Sequence, residues 1–312
     1  MRLGDGRRLA WREYGCPDGA PLLALHGLPG SRLLFEVAGG VAHELGIRLV
    51  APDRWGYGDT DPHPAPTLSA FATDMALLAD HLAIERFSVM GVSGGGPYAA
   101  AVASCLPQRT LATALVAPVG PMSGEKGLDI GVFHGFCFGP FARSPRFGRG
   151  VFAGFRRLIT TYPRAGMAVA MSRVPACDGH VLADGMVRDR LARAFVEGLR
   201  PGPGGPVIDM TLFGRAWDLP LHAARAPARL WLGTQDRHVP LSAARRLAEH
   251  LPACELVEMV DEGHLWVALN YGVVLRWALE MQKGAASATP SLPESSRLQP
   301  QAVARPPNID GK

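Results

Sequence analysis

The chain has little of what several functional classes require. Its five cysteines, at 16, 105, 137, 177 and 254 of 312 residues, lie far apart, with no C-x-x-C pair and no histidine at ligand spacing. That spacing offers neither a disulfide framework nor a zinc site, and it predicts reduced thiols and no metal. No run approaches the ~18 uninterrupted apolar residues of a membrane-spanning helix, so no membrane partner is expected. The opening "MRLGDGRRLAWREYG" carries charge but no apolar stretch of a secretory signal, and with reduced thiols the expectation is a cytoplasmic location. Charge is sparse and nearly balanced, with 19% Asp, Glu, Lys and Arg and a formal net charge of +4. The arginines between 143 and 164 form no stripe and fit no nucleic-acid module, so a nucleic-acid partner is not expected either. What is abundant is apolar surface: 47% hydrophobic residues supply the core of one large domain or two smaller ones.

The apolar residues are organised. "MRL" and "RRLAWREYG" flank Gly4-Asp5-Gly6, a hairpin signal, so the chain is expected to open with antiparallel strands. Short apolar runs follow, "PLLALHG", "IRLVAPD", "FSVMGVS" and "LATALVAP", separated by segments with helical spacing such as "FATDMALLADHLAI". Strands apolar throughout, with amphipathic helices between them, predict an α/β fold with a mostly parallel central sheet and helices on both faces. The pattern resumes at "ARLWLGTQD", "SAARRLAEHL", "CELVEMVDEGH" and "LNYGVVLRWALEMQK". Residues 1–120 and 218–283 are therefore expected to form the core. Residues 121–217, rich in Gly, Phe, Met and Arg, read as a helical insertion lying over the sheet, with hinges at "RPGPGGP". The Pro/Ser/Ala-rich stretch 284–312 has too little apolar surface to offset its ordering entropy and is expected to be disordered.

"GVSGGG", residues 91–96, joins the strand "FSVM" to the helix "GPYAAAVASCL". Glycines crowd Ser93 because a strand-to-helix turn this sharp brings backbone against backbone, and such a turn holds the serine hydroxyl above the C-terminal edge of the sheet. A helix N-cap is the other reading of that serine. A hydroxyl is a poor nucleophile at neutral pH and needs a base that is itself oriented by an acid. In this architecture the chain order is serine, acid, histidine. Asp236 closes the strand "RLWLGTQD" and His264 follows "ELVEMVDEG", so both leave the same sheet edge as Ser93. Asp261 and Glu262 are the alternative acids, and His238 is read as surface decoration. Gly94 supplies the next backbone N–H at the start of a helix, where negative charge is favoured. The second donor is expected from Leu28 in "LALHGLPGSR", a loop whose glycines could also be ordinary turn residues. "DRWGYGDT" is read as structural, with Asp53 and Arg54 tying loops together.

Jointly "HGLPGSR", "DRWGYGDT", "GVSGGGPYA", "GTQD" and "DEGH", spanning residues 21 to 264, resemble the α/β-hydrolase fold family. The likeness is to its lid-bearing group of esterases, perhydrolase-type haloperoxidases, proline-iminopeptidase-like enzymes and epoxide hydrolases. The epoxide hydrolases and haloalkane dehalogenases of that family use an aspartate where this chain has Ser93. Proline iminopeptidases resemble H-G-G-P-G with a G-G-S-W-G elbow, which this chain does not match. The resemblance and the residues together imply a serine hydrolase with catalytic Ser93, Asp236 and His264, an oxyanion hole from Leu28 and Gly94, and no cofactor. Its partner would be a small-molecule ester, thioester or lactone. Phe133, Phe136, Phe138 and Phe141 either line an apolar pocket or pack the insertion. The alternatives are an aminopeptidase or amidase, whose amino-terminus grip would come from Glu125, Asp129 or Glu197, and a non-catalytic small-molecule receptor.

Overall fold

The computed structural model describes residues 1–122, 144–172 and 174–287. Each apolar run of the sequence becomes a strand: β1 (Trp11–Gly15), β2 (Ala20–Leu25), β3 (Ile47–Pro52), β4 (Phe87–Val92), β5 (Thr110–Val116), β6 (Ala228–Gly233) and β7 (Cys254–Met259). They form one sheet in the order β1-β3-β2-β4-β5-β6-β7. Only β1 runs antiparallel, against β3; every other pairing is parallel. This is the expected mostly parallel α/β sheet.

The burial follows from covering both faces. β4 and β5 are buried at every position, which explains why "FSVMGV" and "TLATALV" read apolar without alternation. On one face, α2 (Leu68–His81), α3 (Gly96–Cys105) and α9 (Leu241–His250) enclose a core that includes Phe71, Leu78, Phe87, Tyr98 and Leu247. On the other, α1 (Gly39–Glu44) and α10 (Val267–Ser287) enclose Phe35, Leu49, Met90, Trp231 and Leu275. Thr67 caps α2 by accepting the Ala70 N–H at 3.1 Å, an arrangement worth ~1 kcal/mol.

Two expectations shift. The opening hairpin is short, one antiparallel bridge from Arg2 to Arg8 flanked by the Leu3 N–H to Arg7 carbonyl bond at 2.8 Å and the Leu9 N–H to Met1 carbonyl bond at 3.0 Å. Arg7 reaches from it both to Asp5 of the turn at 2.6 Å and to Asp74 of α2 at 2.6 and 3.0 Å. The terminal helix continues through Ser287, past the expected start of the tail at 284; residues 288–312 lie outside the described residues.

Between β5 and β6 come α4 (Pro145–Thr161), α5 (Pro163–Ala170), α6 (Ala176–Ala183), α7 (Gly185–Gly198) and α8 (Gly204–Phe213). The proline- and glycine-rich entry to α8 packs against the core loops rather than swinging free: Arg200 donates to the Gly58 carbonyl at 3.3 Å and ion-pairs with Asp59 and Glu197. Deeper, α8 sends Asp209 into the protein, where it takes hydrogen bonds from Arg54 (2.5 Å), Tyr57 (2.6 Å) and Tyr98 (2.6 Å). Arg54 and Asp209 are 0% and 1% exposed. A charge with so little water must be neutralised where it sits, and removing its partner leaves it stranded. Asp209→Ala is therefore expected to cost ~3–5 kcal/mol in urea unfolding. The exposed Arg200→Ala should cost under ~1 kcal/mol.

Candidate functional site

The parallel sheet delivers four loops to one edge. Ser93 follows β4 at the centre of the sheet, in a left-handed conformation with φ 53°, which costs a non-glycine residue ~1–2 kcal/mol. Its carbonyl accepts the Gly96 N–H and, at 3.1 Å, the Val119 N–H from the loop after β5. Gly95 is required by a close approach, since a Cβ there would run into the Leu25 carbonyl. The elbow reading of "GVSGGG" thus has the predicted strand, turn and helix around it.

The loop after β2 is shaped from beneath by His26. This ring is fully buried, and burial together with the neighbouring Arg54 charge holds its pKa well below the usual imidazole value, so it is neutral. Its Nε2 accepts the Arg54 N–H at 3.0 Å. The proton therefore sits on Nδ1, which donates to the Gly27 carbonyl at 2.9 Å. The Gly30 N–H meets the same carbonyl at 2.8 Å. Gly27 C=O and Leu28 N–H belong to one trans peptide and point opposite ways, so anchoring the carbonyl fixes the direction of the Leu28 N–H. The Leu28 nitrogen lies 3.2 Å from where a Cβ on Gly94 would sit, so the two residues expected to supply donors are close neighbours. The Leu28–Pro29 peptide is cis.

His264 follows β7, and its Nδ1 bonds Asp236 Oδ2 at 2.7 Å. The other oxygen of Asp236 accepts the N–H groups of His238 at 2.7 Å and Val239 at 3.1 Å, so the carboxylate is fixed before it meets the imidazole. Burial pushes the His264 pKa down, but the charge and hydrogen bond of Asp236, with a further contribution from Asp178, outweigh it and hold the imidazole above its ordinary value. Burial pushes the Asp236 carboxyl up, and the pairing with His264 outweighs that, leaving it below the usual carboxylate range. Asp261 is exposed and its N–H caps Thr234; the ring of His264 is turned to Asp236, not to it.

Ser93, Gly94, Leu28 and His264 line one cavity of about 730 Å³. The rest of its wall is largely apolar, including Val119, Phe152, Phe155, Phe195 and Met210. The α/β-hydrolase family model matches residues 22–276. The chain belongs to the α/β-hydrolase family. It is 31% identical over 174 residues to a non-heme chloroperoxidase of Streptomyces lividans, covering 50% of this chain and 61% of that protein's length. It is 26% identical over 288 residues to the uncharacterized hydrolase YcgS of Bacillus subtilis, covering 88% of this chain and 96% of that one. Among solved structures, the enol-lactonase of Burkholderia xenovorans LB400 superposes with a TM-score of 0.64 over 89% of this chain and 98% of its own, at 19% identity.

Within this α/β-hydrolase, sequence reasoning missed three residues at the site. His238 is not decoration: it lines the cavity, its ring centre 4.8 Å from that of His264. Its position two residues after the strand-end acid was the available signal. His26 was legible only as part of the "LALHGLPGSR" motif. Asp178, on α6, bonds the backbone of His264 and Leu265 from 86 residues away, and nothing in the sequence connects them. Phe133, Phe136, Phe138, Phe141, Glu125 and Asp129 lie outside the described residues. Glu197 is turned away from the cavity lining and pairs with Arg32 at 2.9 Å.

The raised imidazole pKa gives a direct check. An NMR titration should place His264 above the usual ~6.5. Asp236→Asn removes the stabilising charge and should move that titration to lower pH, with the protonated form lost earlier as pH rises.

Proposed function

We propose that this protein is a serine hydrolase that cleaves a carboxylic ester, thioester or lactone of a small, mainly apolar substrate through an acyl-enzyme. The observation that carries the reading is that a left-handed Ser93 elbow and a His264 whose Nδ1 is committed to Asp236 line one cavity. That hydrogen bond leaves Nε2 as the ring's proton acceptor. His264 takes the Ser93 proton as the oxygen attacks the carbonyl carbon, and the imidazolium returns a proton to the leaving group. Leu28 and Gly94 N–H groups receive the oxyanion, and water then releases the acyl group by the same route in reverse. Asp236 orients the ring and stabilises its charged form. No metal or organic cofactor enters the scheme.

The cavity wall supports an acyl substrate over an amine. Its charged side chains among the described residues are Arg190 and Arg237, and no described carboxylate lines it. An amino terminus would meet two guanidinium groups without an anion to hold it, which counts against the aminopeptidase reading. The volume falls in the range of small-molecule sites. The full-length relative YcgS is named a hydrolase.

A series of p-nitrophenyl esters of increasing acyl length tests this. The wild type should turn them over with a maximum at an intermediate chain length, and Ser93→Ala should lose about a thousandfold or more in kcat/KM. Activity should fall as pH drops through the raised His264 pKa, because only the neutral ring accepts the serine proton. Undiminished turnover by a folded Ser93→Ala variant would rule the mechanism out.

A further inference from the structure

The carboxylate of Asp178 is not used by the chemistry above, yet it lies against the residue that would drive it. Asp178 is completely buried and sits on α6, one of the helices inserted between β5 and β6. Its Oδ2 accepts the His264 N–H at 3.0 Å and its Oδ1 accepts the Leu265 N–H at 2.7 Å. Both oxygens therefore act as acceptors, as an ionised carboxylate requires. The turn it holds has no side chain in the way: a Cβ on Gly263 would collide with the carboxylate. Residues 263–265 thus wrap around an anion supplied by a segment far away in the chain. Burial, with the nearby Asp236 charge, holds the Asp178 carboxyl above its ordinary value, and the two backbone donors and the His264 charge limit the rise without cancelling it.

We propose that Asp178 is a positioning residue for His264, a clamp by which the inserted helices hold the histidine loop in its working geometry. The inference rests on the serine-hydrolase reading for its catalytic meaning, though the clamp itself is a property of the folded chain. Its consequence is that the insertion is part of the catalytic apparatus. Displacing α6 would release the turn that carries the general base. The groups facing the His264 ring and its loop are Asp236 and His238 from the segment after β6, Asp178 from α6, and, on the shared cavity wall, Ser93, Arg190 and Arg237. Asp178 and Asp236 are the two anions of that set, so removing either should be felt by the ring.

The test is Asp178→Asn, which keeps the shape, removes the charge and leaves one oxygen to accept. In the folded full-length variant, NMR should show His264 titrating at least about half a unit lower than in wild type. Amide exchange at His264 and Leu265 should quicken about tenfold or more while β4 amides keep their protection. Gly263→Ala leaves the charge in place but drives the turn off it, and should reproduce the faster exchange if Asp178→Asn fails to fold. An unchanged His264 titration with full protection of both amides in a folded Asp178→Asn variant would overturn the clamp. Reaction of the wild type with a fluorophosphonate reports separately on the serine-hydrolase reading, since neither the titration nor the exchange requires turnover.

Discussion

A guanidinium with no access to water must find its counter-charge inside the protein, and Arg54 organises much of this structure by doing so. Its charge is met by Asp209 of the insertion, and its carbon lies 4.9 and 4.7 Å from the ring centres of Tyr57 and Tyr98. Its Nε bonds the His26 carbonyl at 2.9 Å and its backbone N–H bonds the His26 ring. The same residue thus ties an inserted helix to the loop that carries Leu28. Burying the pair is no net gain over an apolar core of the same shape. What Arg54 supplies here is placement: its side chain ties Asp209 of α8 to the His26 carbonyl, while its backbone N–H sets the His26 tautomer and with it the direction of the Leu28 peptide.

The second half of the site is organised the same way, by a carboxylate that reaches a backbone or ring it alone can satisfy. Asp236 is fixed by two N–H groups before it bonds His264, and Asp178 fixes the turn on which His264 rides. The cavity above is mostly apolar, so the charges sit beneath the site and around it rather than in the substrate's path. That division suits acyl transfer, in which charge develops on the serine, the oxyanion and the imidazole and has to be met by groups already in place. The insertion contributes to both halves, through Asp209 on one side and Asp178 on the other.

Much of this was legible in the sequence because periodicity and chain order are local. Fully apolar strands announced a sheet covered on both faces, and each strand-end motif, at Leu28, Ser93, Asp236 and His264, fell on the edge the parallel topology predicts. The N-terminal hairpin forms but is shorter than its flanking residues suggest, because Asp-Gly reports a turn and not how far the strands beyond it stay paired. His238 was misplaced because spacing alone does not say which way a residue after a strand faces. Asp178 and Asp209 were invisible for a deeper reason: each lies in a helix with ordinary composition, and its partner is more than 80 residues away. Long-range buried polar contacts leave no periodic trace.

The reactivity of this site turns on Ser93 being an activated nucleophile. Intact-mass measurement after exposure to a fluorophosphonate probe, with peptide mapping, addresses it without knowledge of the substrate. A single adduct is expected on wild type, mapped to Ser93 and absent from Ser93→Ala. A folded wild type that stays unlabelled, or labelling that survives the substitution, would contradict it, and the former would favour a non-catalytic small-molecule receptor built on the same fold.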